Sequence, residues 1–312
     1  MKIYRYKPED AGHEPRVAIA VGRGHAVDLV DAWTQIRSEP INERLRSVLS
    51  SPLALIEQGA EMWAEVRDVV TSAGDLPGVV SEGVRLLAPL DRVPSLRDFL
   101  AFEDHVMRGA ERRSSTVPEY WYESPIYYKG NHRSIIGPDT ECPWPSYTRR
   151  MDFELELAMI VGRKGTDVPP QETGPYIFGF TVMNDFSARD IQAREMTAWL
   201  GPAKGKDFAT ALGPCIVTAD ELGADPDLEM ICRVNGDEWG RSRSARARWK
   251  WGDMIAHVSK GEEIWPGDVY GSGTPGGCCG LDLGRELTPG DIVELEIEGI
   301  GCLRNTIGPR PS

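Results

Sequence analysis

A segment that begins in carboxylates and ends in hydrocarbon constrains this chain most: Asp152-Phe153-Glu154-Leu155-Glu156-Leu157-Ala158-Met159-Ile160-Val161-Gly162. Side chains alternate across a β-strand, so Asp152, Glu154 and Glu156 share one face with Ala158 and Ile160. Such a face carries like charges from wet ground toward buried ground, which is costly unless a cation sits among them. Two readings follow. The segment is a solvated edge strand, or it supplies ligands to a hard divalent cation that prefers oxygen.

The surrounding text divides near residue 90. Before it, short strand-like pieces at 2–6, 16–21 and 26–30 give way to helical spacing around Leu45, Val48 and Leu49, then around Met62, Trp63, Val66, Val69 and Val70. Strand-like 84–87 and the turn Ala88-Pro89-Leu90-Asp91 close this part. Beyond it, strand patterns with turn signals recur at 154–161, 177–183, 211–217, 228–234, 268–271 and 292–298, while helices are expected chiefly over 95–112 and 187–196. At about 150 residues per domain the chain of 312 residues accommodates two. The expected architecture is α+β: a small α/β N-terminal domain over 1–90 and a β-rich, mixed-sheet roll or sandwich over 91–312 with a few helices. Residues 120–147, dense in Tyr, Trp, Pro and Gly, are too irregular for a simple turn and are candidates to line a site.

Charge narrows the partners. A formal net charge of -13 opposes a broad grip on nucleic acid or on an anionic membrane. No apolar run approaches the roughly 20 residues of a membrane helix, and Met1-Lys2-Ile3-Tyr4-Arg5-Tyr6 reads as a strand rather than a signal peptide, so a cytoplasmic location is expected. The six cysteines show no Cys-x-x-Cys spacing and are expected as reduced thiols, with Cys278 and Cys279 as small residues in a glycine-rich turn.

Three further positions stand out. Asp185 lies where a strand runs into a helix, suited either to capping that helix or to binding a ligand at a strand end. Asp98 and His105, seven residues apart, would return to nearly one face of a helix. Asp98 also fits a capping box with Ser95, and His105 fits an ordinary helical histidine.

These positions, taken with further blocks in order, resemble the fumarylacetoacetate hydrolase family. The blocks are Asp98-Phe99 with His105, Glu154-Leu155-Glu156, Asn184 through Gln192, Gly205-Lys206-Asp207-Phe208-Ala209-Thr210, and Gly271-Ser272-Gly273-Thr274. The resemblance implies the fold of that family's C-terminal domain and a divalent metal, Mg2+, Mn2+ or Ca2+, held by Asp98, Glu154, Glu156 and Asp185. It implies hydrolysis of a C–C bond in a small acylpyruvate-like or β-diketo acid, with decarboxylation, hydration or isomerisation of a 2-oxo acid as the alternative chemistry. A non-catalytic metal-binding relative is the remaining alternative. In this comparison His105 matches the general base, and Asp282 stands where relatives carry an orienting Glu. Arg189, Gln192 and Lys206 match positions that stabilise developing negative charge, while Tyr128, Thr210 and Thr274 match substrate-binding positions. A homodimer is implied as well. Gly271-Ser272-Gly273-Thr274-Pro275-Gly276 also satisfies G-x-G-x-x-G, but Pro275 and the glycines after it cannot open the helix that would hold a pyrophosphate, so no nucleotide cofactor is expected.

Overall fold

All seven residues of the strand Leu155–Val161 are buried. In the computed structural model, which describes residues 1–8, 14–22, 25–38, 40–79 and 84–311, this strand pairs antiparallel with Ile177–Asp185 on one side and with Val269–Gly271 on the other. It is therefore an interior strand, and the edge-strand reading is corrected. A strand covered on both faces tolerates a continuous apolar run, which 157–161 supplies.

Among the described residues the main sheet has eleven strands. Its path runs from His25–Asp28 through Arg16–Gly22, Lys2–Lys7, Thr210–Thr218, Ile177–Asp185, Leu155–Val161, Val269–Gly271 and Leu96–Phe99 to Tyr127–Gly130. Lys2–Lys7 pairs antiparallel with Thr210–Thr218, so the N-terminal strands extend the same sheet. A four-stranded antiparallel sheet, in the order Asp237–Arg243, Glu229–Val234, Ile292–Ile297, Gly301–Thr306, packs against the main one.

The alternation read in the sequence is realised in the packing. Leu155, Leu157, Met159 and Val161 join a core with Met230, Cys232, Leu295 and Leu303 of the smaller sheet. Ala158 and Ile160 face the other way, into a core with Leu29, Trp33, Val66 and Val69 from the N-terminal helices Leu29–Arg37 and Ala60–Ser72. Leu96 and Met183 belong to that second core too. Two-residue periodicity then places Asp98, Glu156 and Asp185 on this same face of the three strands.

Two helix assignments need correction. Over 95–112 the chain forms the strand Leu96–Phe99 and then the helix Glu103–Arg112. Asp98 thus caps nothing, because pairing with Val269–Gly271 and Tyr127–Gly130 outweighs the local capping pattern. Over 187–196 a short strand Ser187–Ala188 precedes the helix Arg189–Met196, whose N-terminus has no side-chain cap, so Asp185 is not a cap either. The helix Trp251–Ser259 was legible but not assigned: Trp251, Met254, Ile255 and Val258 follow helical spacing and all are buried. The strands Asp237–Arg243 and Gly301–Thr306 are too polar on their outer faces to announce themselves.

Candidate active site

The sheet register gathers four carboxylates that are far apart in sequence. Gly271 pairs with Asp98 on one neighbouring strand and with Ala158 on the other, while Met183 and Asn184 pair with Glu156 and Leu155. One oxygen from each of Asp98, Glu154, Glu156 and Asp185 lies within 4.8 Å of the other three, and all four residues are buried. Gly271 must lack a side chain here, since a Cβ would lie 2.6 Å from Glu156 Oε2 and 3.0 Å from Asp98 Oδ1. Gly273, at φ +76°, donates its N–H to Glu156 Oε2 at 2.9 Å.

The decisive detail is what these oxygens lack. Asp98 Oδ1, Glu156 Oε1 and Asp185 Oδ1 are buried without a hydrogen-bond partner. Buried acceptors are almost always satisfied, and three carboxylate oxygens left unsatisfied in one cluster are what a bound cation would satisfy. An all-oxygen donor set of this charge fits a hard divalent ion such as Mg2+, Mn2+ or Ca2+.

Two side-chain cations already border the cage. Lys206 Nζ donates to Glu154 Oε2 at 2.6 Å, to Ser187 Oγ at 2.7 Å and to Asp185 Oδ2. Arg189 Nη2 donates to Glu154 Oε1 at 2.8 Å, and its Nη1 to Gln192 Oε1 at 3.0 Å. Tyr128 donates its hydroxyl to Asp185 Oδ2 at 2.9 Å. Asp152 shares the acidic face in sequence but not the cage. It accepts from Arg189 Nε at 2.7 Å and from the N–H groups of Gly280 and Leu281 at 2.8 and 2.9 Å, and so holds the guanidinium in place.

Charge divides the carboxylates into two kinds. For Glu154 burial acts to raise the pKa, but Arg189 and Lys206 outweigh it and hold the carboxyl below its ordinary value. Burial, followed by the charge of neighbouring carboxylates, pushes Asp98 and Glu156 well above theirs. An acid with a raised folded-state pKa contributes stability that is present below the unfolded value, about pH 4, and is lost as pH rises through the folded value. Melting temperature in EDTA should therefore fall as pH rises from about 5 to 8. Saturating Mn2+ should flatten that slope. A metal-free slope of zero or of opposite sign would contradict the charge arrangement described.

Next to the cage stands a second constellation. His105, on the helix Glu103–Arg112, places Nδ1 2.9 Å from Asp282 Oδ2. Gly277 N–H also donates to that oxygen at 3.0 Å, and Arg112 Nη1 donates to Asp282 Oδ1 at 2.7 Å. Burial acts to raise Asp282, but the hydrogen bond and charge of His105, with Gly277 and Arg112, bring its carboxyl down to about 2. Cys279 links the two constellations: its backbone bridges Glu154, and its thiol lies within 4.8 Å of ligand atoms of His105 and Asp282. All six cysteines are free.

The structure thus brings together Asp98, Glu154, Glu156, Asp185, Lys206, Arg189, Gln192 and Tyr128, and beside them His105 with Asp282. Thr210 is buried and pairs with Asp185 across the sheet, while Thr274 is buried with its hydroxyl donating to Cys278 O at 3.2 Å. Arg112 and Ser187 were not singled out from sequence, and Asp152 was read only as sharing a strand face with Glu154 and Glu156. Arg112 follows His105 by two helical turns, a spacing that carries the signal; the partnerships of Ser187 and Asp152 depend on contacts distant in sequence.

Comparison with known proteins finds similar sequences and folds. Residues 95–308 match the model of the fumarylacetoacetate (FAA) hydrolase C-terminal domain. The chain is 34% identical over 242 residues to oxaloacetate tautomerase Fahd2a, mitochondrial, of Rattus norvegicus, covering 75% of this chain and 73% of that one. It is 33% identical over 260 residues to oxaloacetate tautomerase FAHD2A, mitochondrial, of Homo sapiens, covering 81% and 78%. Among solved structures it is similar to fumarylacetoacetate hydrolase from psychrophilic Exiguobacterium antarcticum, with a TM-score of 0.75 and 26% identity over 99% of this chain and 100% of that chain.

Proposed function

The chain belongs to the fumarylacetoacetate hydrolase family, and from that premise we propose that it is a divalent-metal-dependent hydrolase cleaving a C–C bond in an acylpyruvate-like or β-diketo acid. The observation that carries this reading is the fixed His105–Asp282 pair beside the carboxylate cage. Asp98, Glu154, Glu156 and Asp185 would hold the metal, whose chemistry is to polarise a substrate carbonyl.

The protein's own groups supply the rest. Asp282 is ionised at neutral pH and can only accept, so His105 carries its proton on Nδ1 and presents Nε2 as a base. Nε2 takes a proton from water as the water oxygen bonds to the acyl carbonyl carbon. The C–C bond then breaks, and its electron pair passes to the carbon beside the 2-oxo group as an enolate. Lys206 and Arg189, which border the cage, would stabilise that negative charge. Burial opposes the charge on Lys206, but Asp185 and Glu154 raise its pKa above the ordinary lysine value and keep it protonated. The enolate carbon then takes up the proton held on Nε2, which restores the base and completes the two shorter acids.

A second reading is supported by the names of the relatives: tautomerisation of a 2-oxo acid, in which a proton moves between carbon and oxygen and no C–C bond breaks. NMR separates the two. Acylpyruvates and oxaloacetate incubated with the protein and Mn2+ in D2O should yield two acids from the former if hydrolysis is correct; accelerated keto–enol exchange with no cleavage across the panel would replace it with the tautomerase reading. Asp282→Asn should lower kcat by about 10²- to 10⁴-fold, because a general-base histidine that loses its orienting carboxylate takes the wrong tautomer. An unchanged rate and pH profile would remove Asp282 from the mechanism. The homodimer implied by the same resemblance is checked by sedimentation of the purified chain.

A further inference from the structure

We propose that Glu195 is a positioning residue that clasps the segment carrying Lys206 and thereby fixes the lysine in the cage. The proposal rests on the functional reading only in assigning Lys206 a part in turnover; the clasp itself is geometric. Lys206 is reached by a stretch of chain that leaves the helix Arg189–Met196 and comes back to the site. Burial of apolar side chains does not anchor the outer part of this stretch: Met196, Trp199 and Leu200 are 54%, 94% and 84% exposed.

Polar contacts do the anchoring: Tyr147 donates its hydroxyl to Lys204 O at 2.9 Å, Asn131 Nδ2 donates to Asp207 O at 2.9 Å, and the helix supplies a cluster of its own. Glu195 Oε2 accepts from Ala203 N–H at 2.9 Å and from Gly205 N–H at 3.1 Å, and Oε1 accepts from Lys204 N–H at 2.8 Å. Three consecutive amides converging on one carboxylate form an anion-binding nest, and hydrogen bonds to a charged acceptor are the stronger kind. One turn earlier on the helix, Gln192 is in close contact with Gly205, where a Cβ would lie 2.7 Å from Gln192 Cβ. Gly205 O accepts from Ala188 N–H at 2.8 Å, and Ala203 O accepts from Lys206 N–H at 2.8 Å. The path is continuous: Glu195 holds 203–205, and 203–205 hold the backbone of Lys206. Substituting glutamine replaces one acceptor oxygen with a donor that faces an N–H.

The test uses the full chain and two readouts. Amine acetylation followed by mass spectrometry should leave Lys206 unmodified in the wild type and modify it at least about tenfold faster in Glu195→Gln, with the other lysines unchanged. In parallel, Glu195→Gln should lower kcat about tenfold, and in a Lys206→Met background it should have no further effect, because coupled residues are non-additive. Lys206 remaining protected in Glu195→Gln would overturn the clasp. So would uniform labelling of all lysines together with a large fall in melting temperature, since that is fold-wide damage. If no 2-oxo acid is turned over by the wild type, the proposed function fails while labelling still decides the clasp.

Discussion

His105→Ala should lower turnover of the cleaved acid by about 10²- to 10⁴-fold, the usual contribution of a general base, while leaving Mn2+ affinity within about twofold of the wild type because His105 lies outside the four-carboxylate cage. The two readouts separate the constellations. His105 is held by Asp282, which is itself held by Arg112 and Gly277, so removing the imidazole deletes the proton acceptor without disturbing the sheet that positions the carboxylates. Wild-type rates in His105→Ala would show that another group moves the proton, and a matching collapse of metal affinity would show that the two constellations are one.

Glu156→Gln should move stability and metal binding in opposite directions. Glu156 is fully buried, its Oε1 has no partner, and its carboxyl is pushed up by burial and then by Asp185 and Glu154. A neutral isostere removes one of the repelling charges, so the melting temperature in EDTA at pH 8 should rise. The same change removes an anionic ligand, so Mn2+ affinity should fall about 100-fold or more, and the metal-induced gain in melting temperature should largely vanish. Fluorescence-monitored melting with and without Mn2+, and calorimetric titration, report both effects. Unchanged Mn2+ affinity would exclude Glu156 as a ligand. A metal-free protein less stable than the wild type would mean that the Gly273 N–H bond to Glu156, rather than charge repulsion, governs the site.

Local pattern carried part of this site into the sequence. The strand Leu155–Val161 obeys its two-residue period whatever lies beside it, so the sharing of one face by Glu156, Ala158 and Ile160 was legible before any partner was known. The blocks containing Asp98, His105, Asp185, Arg189 and Lys206 were legible as a family resemblance. Asp98 was misplaced on a helix because Ser95 and Asp98 form a plausible local cap, and local pattern cannot weigh that cap against strand pairing with residues 269–271. Asp152 was placed on one face with Glu154 and Glu156 because periodicity reports only which face a side chain occupies. It does not report that Arg189 and two backbone N–H groups draw that carboxylate aside.

The sequence by itself determined the chemical inventory and the facing of side chains within each strand, because residue identity and backbone pleat are local properties. Only the tertiary structure decided that the acidic face lies in the interior of an eleven-stranded sheet, that oxygens from residues 98, 154, 156 and 185 meet within 4.8 Å, and that Asp98, Glu156 and Asp185 each keep one oxygen without a partner. Strand register between distant segments sets those distances, and register follows from the packing of the whole sheet rather than from any window of sequence.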